Sequence, residues 1–128
     1  KQFGLTPLAR FVSYAARGVP PEIMGIGPIE ALPAALRYAG FESDAIGRNA
    51  LNAALAAPSL AVIHAPGRTP PNMNPMGGAI ALGHPLGASG ARLVTTAVNR
   101  LHEHAGQYAL CTMCIGVGQG IALIIERV

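Results

Sequence analysis

The clearest structural pattern in the chain lies in residues 88–127, which read ASGARLVTTAVNRLHEHAGQYALCTMCIGVGQGIALIIER. Apolar side chains recur with helical spacing over residues 88–104, which predicts an amphipathic helix that stops near Gly106. The apolar positions on one side of this helix are Leu93, Val94, Ala97, Val98 and Leu101. Two segments, 107–114 and 120–127, follow with a glycine-rich turn between them, and they predict a pair of strands.

The first third of the chain predicts a strand, a loop and a helix. Residues 8–17 predict a strand, because Phe11, Val12 and Tyr14 favour extended structure, and residues 18–28 are a glycine- and proline-rich loop. A helix is expected next, because Pro28 suits a first helical turn and Gly40 suits the position after a last one. Its apolar face would hold Ile29, Leu32, Leu36 and Ala39.

The middle third is harder to interpret. Residues 41–50 are weakly patterned, and residues 65–78 form a loop rich in proline, glycine and asparagine. Residues 51–63 are rich in alanine and leucine and predict a helix, yet Pro58 would sit in its middle, at a cost of about 3 kcal/mol if the helix continued unbroken. The succession of elements predicts an α/β fold, a mixed β-sheet covered by helices, in one domain spanning residues 1–128.

Composition narrows the class of protein. The chain has 128 residues, of which 51% are hydrophobic and 12% charged, which predicts a folded domain. The net charge is +3, and no run of basic residues indicates a nucleic-acid-binding surface. No apolar stretch approaches the roughly 20 residues of a membrane helix. The start lacks an initiator methionine and an apolar leader, which we interpret as a cut inside a longer protein. Two cysteines are too few for a disulfide framework, so we expect a reducing, cytoplasmic location.

His84 is the first residue that could carry chemistry. It lies in a loop of small residues, where glycines leave room for a ligand or a second backbone, and Pro85 stiffens the segment. A histidine in such a place could act as a base, an acid or a hydrogen-bond donor near neutral pH. On the residues alone, a purely structural loop histidine is an equal alternative.

The cysteine pair Cys111 and Cys114 has the C-x-x-C spacing of redox and zinc sites. The pair lies on a predicted strand, where side chains three positions apart face opposite sides, so neither a disulfide nor a shared metal is expected. His102 and His104 could complete a zinc set on paper, but they end a helix and should be solvated. A zinc or redox module therefore remains only as a rival hypothesis.

Cys114 differs from Cys111 in its position. It ends the predicted strand next to a turn that contains Gly116, and reactive groups in α/β proteins often occupy strand ends. Glycine N–H groups in such a turn can also point at a developing oxyanion. Cys111 is interpreted as a small core residue. The glycines of residues 116–120 and 83–90 are weak candidates for nucleotide loops, because the first precedes a strand and the second lacks the Lys-Ser/Thr of a P-loop.

Three motifs together resemble the thiolase family. Residues 74–92, NPMGGAIALGHPLGASGAR, are similar to its glycine–histidine–proline signature, and residues 114–120, CIGVGQG, to its C-x-G active-site signature. Residues 21–28, PEIMGIGP, also match. The likeness covers nearly the whole chain, and the two active-site motifs are long and occur in the family's order. The resemblance implies a thiolase-like C-terminal domain that acts in acyl transfer between acyl-CoA and CoA or acetyl-CoA.

The resemblance also implies a role for each of four residues. His84 would activate a nucleophilic cysteine and help to hold a thioester oxygen, and Cys114 would be the acid/base that takes a proton from the α-carbon of acetyl-CoA. The backbone N–H of Gly116 would contribute to an oxyanion hole. Asn52 matches the asparagine that holds the water of the other oxyanion hole. Coenzyme A thioesters are then the substrates, and no bound cofactor or metal is expected.

The implied partners are acyl-CoA, CoA and the thiolase N-terminal region, whose nucleophilic cysteine is absent here, in a homo-oligomer without nucleic acid or membrane. The chain departs from the family at Asn52-Ala53-Ala54-Leu55, where the family has Asn-Glu-Ala-Phe, and in residues 64–71. A non-catalytic thiolase-like binding or scaffold module is the alternative function. Residues 108–114 are similar to thiolases of 3-ketoacyl-CoA and 3-oxoadipyl-CoA degradation, which implies a role in steps such as fatty acid β-oxidation.

Overall fold

A computed structural model describes residues 2–65 and 73–128, and these residues build one mixed sheet of four strands. The strands are β1 (Ala9–Gly18), β2 (Arg48–Leu51), β3 (Tyr108–Ile115) and β4 (Gln119–Arg127). Their order across the sheet is β1-β4-β3-β2. The two long pairs, β1 with β4 and β3 with β4, are antiparallel, whereas the short β2 runs parallel to β3. The predicted strands at 8–17, 107–114 and 120–127 are therefore confirmed.

Helices cover both faces of this sheet. They are α1 (Gly27–Ala39), α2 (Ala56–His64), α3 (Ala79–Leu82) and α4 (Leu86–Glu103), with 3-10 turns at Pro21–Ile26 and Ser43–Ala45. Helix α1 packs on one face, where Leu32 meets Ile124 and Leu110 in the larger core cluster. Helix α4 packs on the other face, where Leu93 and Leu101 form a second cluster with β3 and β4. The predicted α/β fold with a mixed sheet covered by helices is confirmed.

The helix predicted for residues 51–63 is wrong in its first half. Strand β2 continues to Leu51, because this strand pairs with β3 up to Thr112, and α2 begins only at Ala56. Pro58 therefore lies in the first turn of α2, where a backbone N–H would have no partner within the helix, so the proline costs little there. Of the loop predicted for residues 65–78, residues 66–72 lie outside the described part of the chain.

Other boundaries differ by a few residues. Helix α4 begins directly after Pro85 and ends at Glu103, before the expected stop at Gly106, because Ala105 adopts a left-handed φ of 50°. The short helix α3 and the 3-10 turn at Pro21–Ile26 lie in segments whose glycines and prolines favour loops. The end of α1 follows the prediction, since Gly40 has a φ of 70° and donates its N–H to the last turn.

Two glycines let α1 approach β4 more closely than any other residues could. The backbone of Gly27, at the start of α1, contacts the backbone of Gly120 in β4. A Cβ added to Gly120 would lie 2.1 Å from the Gly27 carbonyl carbon. This contact seats the adjoining 3-10 turn, Pro21–Ile26, against the end of the hairpin. Met24 of that turn lines the pocket described next.

Candidate active site

Asn52 and Cys114 lie at the same edge of the sheet. Strands β2 and β3 are parallel, so their carboxyl ends meet, which is where α/β proteins place ligand-binding groups. Asn52 directly follows β2, and its backbone N–H donates to the Thr112 carbonyl at 2.9 Å, which continues the ladder by one residue. Cys114 is the penultimate residue of β3 and pairs with Gly120 across the hairpin.

Backbone hydrogen bonds bring the His84 segment to this edge. The Ala79 N–H donates to the Asn52 carbonyl at 2.6 Å, and the Ile80 N–H donates to the Ala53 carbonyl at 3.0 Å. Helix α3 is thereby attached to the chain that leaves β2. Gly83, with a φ of 86°, then reverses the backbone and presents His84 just before α4 begins.

The His84 ring lies between two polar side chains. Its Nδ1 is 2.6 Å from the Ser89 hydroxyl oxygen and 3.1 Å from the Asn52 side-chain nitrogen. The same Asn52 nitrogen is 3.4 Å from His84 Nε2. The amide oxygen of Asn52 accepts a hydrogen bond of 2.9 Å from the Arg92 guanidinium. Asn52 and Ser89 are each 1% exposed, whereas the His84 ring that they contact is exposed.

One open pocket of about 560 Å³ collects the remaining candidate residues. His84, Cys114 and Gly116 all line it, together with Met24 and Leu55. The structure therefore brings His84, Cys114 and Gly116 to one cavity, with Asn52 buried directly behind the histidine. All four residues predicted from the sequence meet at a single place in the fold.

The two cysteines have different surroundings. Both are free thiols in the structure. Cys111 is buried in the cluster under α4, and burial raises the pKa of its thiol to about 12, although the positive charge of Arg92 acts in the opposite direction. Cys114 is half-buried and borders the pocket. Of the two, only Cys114 is accessible from the candidate site.

The rival zinc hypothesis needs a set of ligands that lie close together in the described residues. His102 and His104 are exposed at the end of α4, as expected. Among residues 2–65 and 73–128, no group of three or more histidine, cysteine, aspartate or glutamate side chains is placed to hold a metal ion. The same residues contain no helix that combines the length and the apolar character needed to cross a membrane.

Sequence reasoning missed the roles of Ser89 and Arg92. Ser89 falls on the buried stripe of α4 that continues through Leu93, Ala97 and Leu101, where an apolar side chain is usual. A buried polar side chain needs a hydrogen-bond partner, so a serine on this apolar face could have indicated a hydrogen bond to another segment. The partners themselves, His84 and Asn52, are separated from α4 by turns that the sequence does not define.

Backbone strain is present on two sides of the site. Ala53, which follows Asn52, has a φ of 48°, and Val117, which follows Gly116, has a φ of 66°. Non-glycine residues rarely adopt this left-handed region, and a β-branched residue such as valine is disfavoured most. Strain of this kind concentrates at functional sites because the surrounding structure holds it in place.

Comparison with known proteins shows the family of the chain. The family described as thiolase, C-terminal domain, matches residues 5–127. The 3-oxoadipyl-CoA/3-oxo-5,6-dehydrosuberyl-CoA thiolase of Escherichia coli K12 is 54% identical over 127 residues, which cover 98% of this chain and 32% of that protein. A beta-ketothiolase of Cupriavidus necator is 50% identical over 125 residues, which cover 98% of this chain and 32% of that protein.

A solved structure gives the same result. Human mitochondrial 3-ketoacyl-CoA thiolase superposes with a TM-score of 0.95 at 44% identity, over 98% of this chain and 32% of that one. The chain belongs to the thiolase family and corresponds to its C-terminal domain. It spans about a third of the length of the relatives that it matches.

Proposed function

We propose that the chain is the C-terminal part of a thiolase that transfers an acyl group between acyl-CoA and CoA, or condenses it with acetyl-CoA. The observation that supports this most directly is the convergence of His84 and Cys114 on one open pocket, with Asn52 bonded to the histidine. A non-catalytic scaffold module would not require a buried asparagine hydrogen-bonded to an accessible histidine beside an accessible thiol.

Cys114 is proposed to be the proton acceptor for the α-carbon. A thiolate removes the α-proton of acetyl-CoA, and the enolate that forms then attacks the acyl group held on a second cysteine. The reverse direction returns the proton from Cys114 to the departing acetyl-CoA. The position of Cys114 on the pocket wall, rather than in the core like Cys111, suits a group that must reach a substrate carbon.

His84, Asn52 and Gly116 are proposed to handle the other charges. His84 takes the proton of the nucleophilic cysteine supplied by the N-terminal region and then donates it to a thioester oxygen. Asn52, fixed by Arg92, serves the same oxyanion hole, through a water held beside the histidine. The backbone N–H of Gly116 serves a second oxyanion hole at the turn after β3. Asn52 is buried beside His84 although the sequence Asn-Ala-Ala-Leu replaces the family's Asn-Glu-Ala-Phe, and this burial supports a role for Asn52 in the site.

The substrate class is proposed from the relatives. Curated relatives at 54% and 52% identity are named as thiolases of 3-oxoadipyl-CoA or beta-ketoadipyl-CoA, and the structural relative is named as a 3-ketoacyl-CoA thiolase. We propose a 3-ketoacyl-CoA chain, either a dicarboxylate such as 3-oxoadipyl-CoA or a fatty acyl chain of β-oxidation. Coenzyme A thioesters are proposed as substrates, without a bound cofactor.

The proposed partner surface is the face of β1 and β4 that α1 does not cover. Phe11 and Tyr14 stand there 60% and 58% exposed, and a groove of about 480 Å³ runs from Phe11 to Val94 and Val98 of α4. An apolar sheet face of this kind needs a cover, and the N-terminal region of the protein is the proposed one. A homo-oligomer and a reducing cytoplasmic location, which keeps both thiols free, complete the proposal.

The test joins this chain to the N-terminal region of the Escherichia coli relative and measures thiolysis of 3-oxoadipyl-CoA and of a 3-ketoacyl-CoA. Cys114→Ala should remove condensation and thiolysis while leaving acyl loading of the other cysteine measurable. Cys111→Ala is the matched control, because this thiol lies in the core and should affect stability rather than turnover. A folded joined enzyme with no activity would favour the scaffold alternative, and unchanged turnover in Cys114→Ala would remove Cys114 from the mechanism.

A further inference from the structure

We infer that Arg92 is a positioning residue that decides which end of the Asn52 side-chain amide faces His84. The inference rests on the proposed function of Asn52 as a hydrogen-bond donor in an oxyanion hole. It adds the group that makes Asn52 a donor at that place. Arg92 does not line the pocket of about 560 Å³, so it acts only through the asparagine.

The side-chain amide of Asn52 lies between two different neighbours. One end of the amide is 2.9 Å from Nη2 of Arg92, and the other end is 3.1 Å and 3.4 Å from the two ring nitrogens of His84. An amide oxygen only accepts hydrogen bonds and an amide nitrogen only donates them, although the two ends have nearly the same shape. The orientation of the buried amide therefore depends on which end each neighbour can bond.

His84 does not decide the orientation. A neutral imidazole has one nitrogen that donates and one that accepts, and its tautomer can change. Both ring nitrogens lie within 3.4 Å of the Asn52 atom that faces them. The ring can therefore bond either end of the amide, and the argument for Arg92 needs no choice of tautomer.

Arg92 accepts only one orientation. A guanidinium carries N–H donors and no acceptor, and it keeps its proton at any physiological pH. Only the amide oxygen of Asn52 can bond it. If the amide were turned around, its N–H₂ group would face an N–H donor of the guanidinium across 2.9 Å. Arg92 therefore holds the oxygen towards itself and directs the N–H₂ group of Asn52 towards His84.

The positive charge of Arg92 is directed at this one bond. Within residues 2–65 and 73–128, the bond to Asn52 is the one hydrogen bond of the Arg92 side chain, and no carboxylate pairs with it. The Arg92 Nε atom is buried without a hydrogen-bond partner there. A hydrogen bond from an ionised donor is roughly twice as strong as a neutral one. Since Arg92 directly precedes the buried Leu93, the packing of α4 keeps the guanidinium at the end of β2.

The orientation matters for the proposed reaction. With its N–H₂ group towards His84, Asn52 can give one proton to the ring and keep the other for the water of the oxyanion hole. A developing oxyanion is stabilised by donors, whereas a carbonyl oxygen in the same place would repel it. Arg92 is therefore needed for Asn52 to act as a donor, although it lies on a different element.

The kinetic test uses three substitutions in the enzyme joined to the N-terminal region of the Escherichia coli relative. Arg92→Lys keeps a charged donor, Arg92→Met offers no polar group, and Arg92→Glu offers an acceptor that favours the reversed amide. We expect kcat for thiolysis to be highest in Arg92→Lys. It should fall by roughly twofold or more in Arg92→Met, where both orientations are populated. It should fall by about 100-fold in Arg92→Glu, as when an oxyanion-hole donor is lost.

The pattern of these effects separates positioning from a purely structural role. KM should stay close to the wild-type value in all three variants, because Arg92 does not line the pocket. Circular dichroism verifies that each variant is folded. Equal kcat in Arg92→Lys and Arg92→Met overturns the inference, and this comparison decides the matter even if Arg92→Glu does not fold.

Arg100→Met is the matched control. Arg100 lies further along α4, lines the same small cavity beside β2 as Arg92, and also has a buried Nε without a partner among the described residues. Its guanidinium bonds Glu103 and not Asn52. Arg100→Met thus removes the same charge from the same helix and should leave kcat unchanged. An equal loss in Arg92→Met and Arg100→Met would overturn the specific role of Arg92.

Neutron diffraction from crystals of the joined wild-type enzyme, exchanged into heavy water, tests the orientation directly. We expect the deuterons of the Asn52 amide at the end that faces His84, and deuterons at the end that faces Arg92 overturn the inference. This measurement does not depend on turnover. A folded but inactive enzyme would therefore reject the proposed function and still test the inference. Wild-type turnover with equal kcat in all three Arg92 variants would reject the inference while the thiolase function stands.

Discussion

The contact between Gly27 and Gly120 gives the sharpest stability prediction. In Gly120→Ala the new Cβ would lie 2.1 Å from the Gly27 carbonyl carbon, 2.2 Å from its oxygen and 2.6 Å from the Pro28 nitrogen. These are all backbone atoms, so no side chain can rotate away. To reach an ordinary separation, α1 must move from β4 by more than an ångström.

The energetic cost follows from what α1 buries. Ala31, Leu32 and Ala35 of this helix are each at most 1% exposed, in the larger core cluster. Overpacking of a core costs about 1–3 kcal/mol, and the shift of a whole helix places Gly120→Ala at the upper end, about 3 kcal/mol. For a domain of this size, that lowers Tm by roughly 10 °C.

Urea and thermal unfolding of the purified chain measure the effect. Gly116→Ala is the matched control, since it lies in the same hairpin and a Cβ there meets nothing within 4 Å. We expect the control to change the free energy of unfolding by no more than about 0.5 kcal/mol. A Gly120→Ala variant as stable as Gly116→Ala would refute the close approach of α1 to β4, and with it the seating of the Pro21–Ile26 turn beside the pocket.

Four further predictions follow, of which two concern the thiols, one the strained turn and one the isolated chain. The pKa of the Cys111 thiol is raised to about 12 from its ordinary 9.0, so the protonated thiol contributes fully to stability below pH 9. This contribution declines as the pH rises towards 12. In urea titrations between these pH values, the wild type should therefore lose more stability than Cys111→Ala. At about pH 8, iodoacetamide should label Cys114 first, which peptide mass spectrometry would show; faster labelling of Cys111 would contradict its burial. Val117→Asn should raise the free energy of unfolding by about 1 kcal/mol, because asparagine tolerates the left-handed φ of 66° better than valine, and a loss of stability would count against this strain. The 128-residue chain alone should not release a thioester product from 3-ketoacyl-CoA and CoA, since covalent catalysis needs the second cysteine, and robust turnover by the lone chain would contradict the proposed roles.

Much of the fold was predictable because its signals are local. The helical spacing of Leu93, Ala97 and Leu101 identified α4, and the glycine turn between the last two strands identified the hairpin. Gly40 marked the end of α1 through its tolerance of positive φ. These features depend on neighbouring residues alone, so a single sequence was sufficient.

The failures occurred where long-range pairing decides the outcome. Residues 48–51 form a strand only because β3 lies beside them, and the alanines and leucines that follow favoured a helix across the boundary. Pro58 was interpreted as an internal break for the same reason, although it lies in a first turn. Propensity is a weak guide when tertiary contacts oppose it.

The residues of the candidate site likewise fall into those that the sequence predicted and those that only the structure revealed. Sequence alone predicted His84, Cys114, Asn52 and Gly116 as site residues, from glycine-rich turns and from the resemblance to a family. It did not identify Ser89 or Arg92, since a hydrogen bond depends on atoms brought within about 3 Å, and only the packing of α4 against the end of β2 does this. The residue types of the candidate site therefore follow from the local sequence, whereas their hydrogen-bond partners depend on contacts between segments up to 40 residues apart.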